Sequence, residues 1–422
     1  MLTRRTLMGA TLAASAIPMV GCSKGSASKG GDGKTITLFH RWPTEPKNGY
    51  FEAMIKAFTE ANPDTTVKVE KALNDAYKDK VRVSVGSAQS PDVFFSWSGS
   101  FASSLVATGN VQPLDDLLSK KPELKDQFYA SQMDPMQVDG KQVGLPIGMI
   151  GKFFFYNKKL FAQHGLEVPA TWEELIALCE KAKKAGLVPI SYAAKDQWTI
   201  AHWVGTLNQR VLDPAVTQKD YEPKTGEFTD EGYVKALELF QQLFPFMTPN
   251  ANAVAHQDAR DAFGAGKSAL MYLEGAEYNY FPKDFEWGTF NFPSVPNGKG
   301  DPKQLTGAPE GFMIAKNSKN PELASKLLEF MMTPEWGQKW TDMTGELSAI
   351  KGAVEKSSVP APVKEMAKVI GESSAMTPWL DNALDQRLVA TYLSSTQLLI
   401  GGKASAADVM KKVQATAKQV RG

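Results

Sequence analysis

Apolar residues in the first half of the chain follow two alternating rhythms. Residues 35–40, Thr-Ile-Thr-Leu-Phe-His, alternate with period two and predict a strand. Phe51, Met54, Ile55 and Phe58 then recur at helical spacing and predict a helix over 50–60, stopped at Asn62-Pro63-Asp64. A second strand follows at 66–70, a helix at 76–87, and a third strand at 91–95, apolar enough to be buried on both faces. This alternation predicts a parallel sheet covered by helices.

The pattern resumes after Gly144-Leu145-Pro146. Residues 152–158 (Lys-Phe-Phe-Phe-Tyr-Asn-Lys) predict a hydrophobic strand, and Thr171-Trp172-Glu173-Glu174 reads as a capping box opening a helix. Further strands are predicted at 189–193, 268–273, 287–292 and 311–315. Helices follow over 322–331, 384–399 and from Ala406. Gly264-Ala265-Gly266-Lys267-Ser268 imitates the end of a phosphate-binding loop. Asp261 stands where that motif needs glycine, however, and the motif falls between a helix and a strand instead of the reverse, so it reads as a turn.

Composition narrows the function classes. The 422 residues leave room for two cores, and 43% hydrophobic with 22% charged residues is ordinary for a globular protein. A formal charge of +1 offers no excess for phosphate backbones, which argues against nucleic acid. The four histidines, 40, 164, 202 and 256, show no metal-ligand spacing. Cys179 falls on the apolar face of a helix and reads as an inert core thiol. No metal, cofactor or catalytic group is expected.

The first 33 residues are of another kind. Arg4 and Arg5 precede an apolar run from Leu7 to Gly21, too short to span a bilayer, and Cys22 follows. The segment Met19-Val20-Gly21-Cys22 resembles a bacterial lipoprotein cleavage box, and the paired arginines resemble a twin-arginine export signal. The resemblance implies an export signal over 1–21, lipidation of Cys22 and a flexible Gly/Ser/Lys tether over 22–33. The protein would then be extracytoplasmic and membrane-anchored.

Over residues 34 to about 400 the order of motifs resembles the extracellular sugar-binding proteins of ABC importers, the family that includes maltodextrin-binding proteins. The matching segments are 90–95, Gly109 to Asp116, Gly144-Leu145-Pro146, Phe155 to Lys158, Pro169 to Glu174, Phe263 to Met271, Phe292 to Pro296 and Ala315 to Ala324. The resemblance implies an α/β, two-lobed periplasmic-binding fold whose strands cross between lobes. Lobe one would be 34–147 plus 311–348, and lobe two 148–310 plus 349–422. The implied role is binding an oligosaccharide between the lobes and delivering it, as a monomer, to the importer's permease.

Sugars ask for flat aromatics against their C–H faces and carboxylates or amides for their paired hydroxyls. In an open α/β sheet such groups sit beyond the carboxyl ends of strands. That criterion selects Trp42, Glu45 and Trp97. In the second lobe it selects Asp196 and Trp198, and then Glu274, Glu277 and Tyr278. Glu277 departs from the tryptophan that relatives commonly carry there, so Tyr278 or Tyr280 is left to supply the ring. Glu310 lies at the predicted crossing, and Trp379 with Asp381 opens the long C-terminal helix. His202 and Trp203 read as packing. Ser98-Gly99-Ser100 lacks the charged residues of maltodextrin-binding relatives, which argues against maltose. The acids among these residues also suit a polyamine, and paired acids with tryptophans also describe a secreted glycosidase.

Overall fold

The computed structural model describes residues 34–373 and 375–422; the predicted export signal, Cys22 and the tether lie outside the described residues. Two mixed sheets carry the fold. The first runs β2 (Thr65–Lys71), β1 (Lys34–His40), β3 (Val93–Trp97), β12 (Glu310–Ile314), β6 (Leu145–Gly148). The second runs β10 (Trp287–Phe290), β7 (Lys152–Asn157), β9 (Ser268–Glu274), β8 (Val188–Ser191). A short pair, β11 (Leu305–Thr306) with β13 (Met376–Thr377), and a hairpin, β4 (Gln137–Val138) with β5 (Lys141–Gln142), complete the strands.

The parallel expectation holds for β1 with β2 and with β3. It fails for β12, which is antiparallel to both β3 and β6, and for β7, antiparallel to β9 and β10. β12 enters the first sheet from a point more than 200 residues beyond β3, and that pairing leaves no mark on the local alternation. Burial follows position in the sheet. Central β3 and β12 are buried throughout, whereas edge strand β2 alternates between half-buried and exposed.

Most helices start within a few residues of their expected places, as at Lys47–Ala61, Asn74–Ser84 and Pro321–Met331. The helix expected over 384–399 runs Gln386–Ile400 and is separated from a short turn, Leu380–Ala383. The break occurs because the Arg387 N–H donates to the Asp385 carboxylate at 2.9 Å, starting a new helix. The capping box at Thr171 forms as read. Cys179 is fully buried, and burial pushes its thiol up to about 12. Trp336 and Trp340 pack edge-on against Tyr50, at 5.7 and 5.0 Å between centroids.

The chain passes between the two sheets at 149–151, joining β6 to β7, and at 307–309, joining β11 to β12. Backbone bonds tie the passages to later segments: Met149 N–H donates to Leu347 O at 2.7 Å and Gly307 N–H to Thr377 O at 2.9 Å. Gly307 is needed for close approach, since a Cβ there would stand 1.9 Å from the Ile150 carbonyl oxygen. Ile150, Ala308 and Trp379 make a small apolar cluster of their own at this junction. Among the described residues no helix is long and apolar enough to cross a membrane.

Candidate ligand-binding site

The first lobe contributes a plate of aromatics at the carboxyl ends of β1 and β3. Trp42 stacks on Phe51 (5.4 Å, 15°) and meets Phe95 and Trp340 edge-on. Trp97 meets Phe95 and Phe101 edge-on at 4.8 and 5.1 Å. The Arg41 guanidinium lies over the Trp42, Phe95 and Trp97 rings at 4.9, 5.1 and 5.3 Å. Its Nη2 donates to both carboxylate oxygens of Glu310 at 2.6 Å. Sheet register brings the pair together, because Glu310 on β12 stands opposite Trp97 on β3.

The second lobe answers with a buried lysine among aromatics. Lys152 opens β7 and is only 1% exposed, with Nζ 2.7 Å from His202 Nδ1. Burial holds the His202 imidazole well below its ordinary range, with Lys152 and His256 adding to the effect, so the neutral ring accepts from the ammonium. Trp198 and His202 lie four residues apart on the helix Trp198–Val211 and share a face. Trp379 stacks on His202 at 3.8 Å and 18°. His256 and Arg260, again four apart on the helix His256–Gly264, clamp Glu277 at 2.5 and 3.2 Å.

Three carboxyls near Lys152 are displaced from their ordinary range. Burial pushes Glu274 up to about 8, with Glu277 adding to the rise and Lys152 opposing it. Burial also works against ionisation of Glu277, but His256, Lys152 and Arg260 outweigh it and bring the carboxyl down to about 2. Asp381 is raised to about 6 by burial, against Lys78 and Lys152. Two of these influences cross the cleft. Glu310 bears on Glu274, and Lys78, whose Nζ lies 5.0 Å over Trp97, bears on Asp381. The two walls therefore influence one another electrostatically.

The structure brings Trp42, Trp97, Glu310, Trp198, Glu274, Glu277, Trp379 and Asp381 to this junction. It gives the other three expected residues local partners. The Glu45 carboxylate accepts from Asn48 Nδ2 and the Gly49 N–H, at 3.0 and 2.9 Å, within the first turn of a helix. Asp196 accepts from the His256 N–H at 2.7 Å, which caps the helix carrying the Glu277 clamp. Tyr278 packs beside Trp287 and donates to the Gly345 carbonyl at 3.3 Å. Tyr280 is exposed, beneath Arg260.

Sequence reasoning passed over Arg41, Lys152 and His256, and read His202 as packing. Arg41 shares with Trp42 the position just past β1 that selected the tryptophan. Lys152 carried its own signal, a charge opening a Phe-Phe-Phe strand.

Beside this junction lies a cavity of about 890 Å³, open between the lobes. Arg82, Ser100 and Phe101 line it from the first lobe, and Thr217, Tyr221 and Gln386 from the second. It adjoins the aromatic plate through Phe101, the edge-on neighbour of Trp97. Ser100 Oγ donates to the Asn382 carbonyl, so the walls touch at the cavity floor. Among the described residues, no three His, Cys, Asp or Glu side chains are grouped as metal ligands would be.

Known proteins share this architecture. The chain is 26% identical over 407 residues to the alpha-glucosides-binding periplasmic protein AglE of Rhizobium meliloti, covering 90% of this chain and 86% of that protein. It is 26% identical over 373 residues to the multiple sugar-binding protein of Streptococcus mutans, covering 83% of each. A solved chitin oligosaccharide binding protein superposes with a TM-score of 0.81 at 23% identity, over 93% of this chain and all of that one, which establishes the two-lobed fold. The family model for bacterial extracellular solute-binding proteins matches residues 42–338. With well over half of its length matched, this chain belongs to the bacterial extracellular solute-binding protein family.

Proposed function

We propose that the chain captures an extracytoplasmic carbohydrate, an oligosaccharide, between its lobes and passes it to the permease of an ABC importer, without catalysis. The observation that carries this reading is the pairing of two aromatic walls across a junction of charged and titratable groups. Trp42 and Trp97 with Arg41–Glu310 stand on one side, and Trp198 and Trp379 with Lys152, Glu274 and Asp381 on the other. Rings supply C–H stacking and the charged groups supply strong bonds to hydroxyls. The 890 Å³ cavity beside them offers room for more than one ring. AglE and the streptococcal protein, both named for sugars, support the same class.

The lobes in this reading are 34–147 plus 311–348 and 148–310 plus 349–422, except that Gly148 and Glu310, which end β6 and open β12, go with the first lobe. Trp42, Trp97, Glu310, Trp198, Glu274, Trp379 and Asp381 would touch ligand. Asp196, Glu277 and Glu45 would position their neighbours, and Tyr278 would brace the Glu274–Glu277 turn. Contacts to both lobes exist only when the lobes meet, so ligand shifts the population toward the closed form that docks on the permease. Micromolar binding corresponds to about −8 kcal/mol, within reach of a few charged hydrogen bonds and stacked rings net of ordering costs. Export through the twin-arginine-like signal and acylation of Cys22 would keep a monomeric receptor beside its permease, and more than one acyl chain is needed for stable retention.

A thermal-shift screen of the soluble Cys22→Ser chain tests the reading, since ligand bound only to the native state raises Tm. We expect a neutral oligosaccharide to raise Tm and polyamines to leave it unchanged. Stabilisation by spermidine alone, or turnover of any glycoside, would replace the reading.

A further inference from the structure

Cation–aromatic boxes in binding proteins commonly hold a cation that belongs to the ligand. Here the box is already filled. Lys152 Nζ lies 5.3 Å from the Trp198 centroid, 5.4 Å from Tyr272 and 5.8 Å from Trp379. Behind it, toward Tyr192, Thr199 and Trp203, the enclosed space is about 10 Å³, no more than the minimum a single water needs. A second cation has no place to enter unless Lys152 leaves.

The surrounding charges are already committed. Glu310 is taken by Arg41, Glu277 by His256 and Arg260, and Glu346 by Lys47. Lys152 is the cation bearing on both carboxyls that remain, Glu274 and Asp381. An ammonium carries three N–H donors. Among the described residues His202 is the one hydrogen-bond partner of Nζ, which leaves two donors for a ligand. Such donors suit hydroxyl oxygens, while the positive charge repels an amine.

We infer that Lys152 is the specificity-determining residue of the cleft: a resident cation that occupies the Trp198–Tyr272–Trp379 box, excludes ligands bearing an amine or quaternary ammonium, and donates to uncharged hydroxyl-bearing ones. This deepens the carbohydrate reading and rests on it only for the natural ligand. Shortening the side chain, as in Lys152→Ala, removes both the charge and the stem that fills the box and vacates it for a foreign cation.

The probe is tetramethylammonium, titrated against the wild-type chain, Lys152→Ala, Lys152→Ser and Lys152→Arg. Tryptophan fluorescence reports binding at Trp198 and Trp379, and near-UV circular dichroism reports folding. The wild type and Lys152→Arg should not bind the probe at millimolar concentration. A folded Ala or Ser variant should gain affinity by about tenfold or more. Wild-type binding of tetramethylammonium or spermidine at the cleft overturns the inference on its own. So does a folded Ala or Ser variant that gains nothing, which would make Lys152 a structural counter-charge for Glu274. If the probe results hold but no carbohydrate binds the wild type, the assignment of Lys152 stands and the carbohydrate reading falls.

Discussion

Glu274 and Glu277 stand one turn apart and are shifted in opposite directions, because His256 and Arg260 clamp Glu277 and not Glu274. His256 and Arg260 hold Glu277 ionised, so its contribution to stability is present above its ordinary 4.5 and lost as pH falls toward about 2. Glu274, raised from 4.5 to about 8, binds its proton more tightly when folded. Its contribution is full below 4.5 and is lost as pH rises toward about 8. Glu274→Gln imitates the protonated form and should flatten this part of the profile. Thermal melts at about pH 5 and about pH 8.5 should show the variant gaining on the wild type at the higher pH. Equal pH profiles for the two proteins would refute the assignment. At this scale residue type was legible in sequence and partnership was not. Trp42 and Trp97 were selected from their places at strand ends and Glu310 from the predicted crossing, but their link to Arg41 depends on β12 returning opposite β3.

The helix Trp172–Lys184 was legible to its first residue because its signal is local. The Glu174 N–H donates to Thr171 Oγ1 at 3.3 Å, and the Glu174 carboxylate accepts from the Thr171 N–H at 3.2 Å. Thr171→Ala should cost about 1 kcal/mol of stability and leave ligand affinity unchanged, because the cap is remote from the cleft. Chemical denaturation with parallel titration checks both halves, and a fall in affinity would show that the cap supports the cleft. Other elements were harder to read. The helix Trp198–Val211 is buried on nearly every side. Its sequence therefore reads as packing, and the face carrying Trp198 and His202 toward Lys152 has no separate hydrophobic signature. The antiparallel strands β7 and β12 show the same limit, since their partners lie far away in sequence.

Two lobes, joined where the chain crosses at 149–151 and 307–309, place the aromatic walls on separate bodies. In the proposed reading that division lets the lobes close on a ligand: neither wall alone would surround it, and binding energy would be gained only across the gap. The family's motif order made the two-lobed plan legible from sequence, whereas the cleft's charge pairing emerged only from the packing of His256, Arg260 and Lys152 around the acids. The claim at stake is that ligand touches both walls. Titration calorimetry with the oligosaccharide that most stabilises the wild type, repeated on Trp97→Ala from the first lobe and Trp198→Ala from the second, tests it most directly. Each variant is taken forward only if it retains the unliganded circular dichroism spectrum. We expect one site per chain and a loss of about tenfold or more in affinity for both variants. Unchanged affinity in either folded variant would place the ligand outside the interlobe cleft and contradict the account.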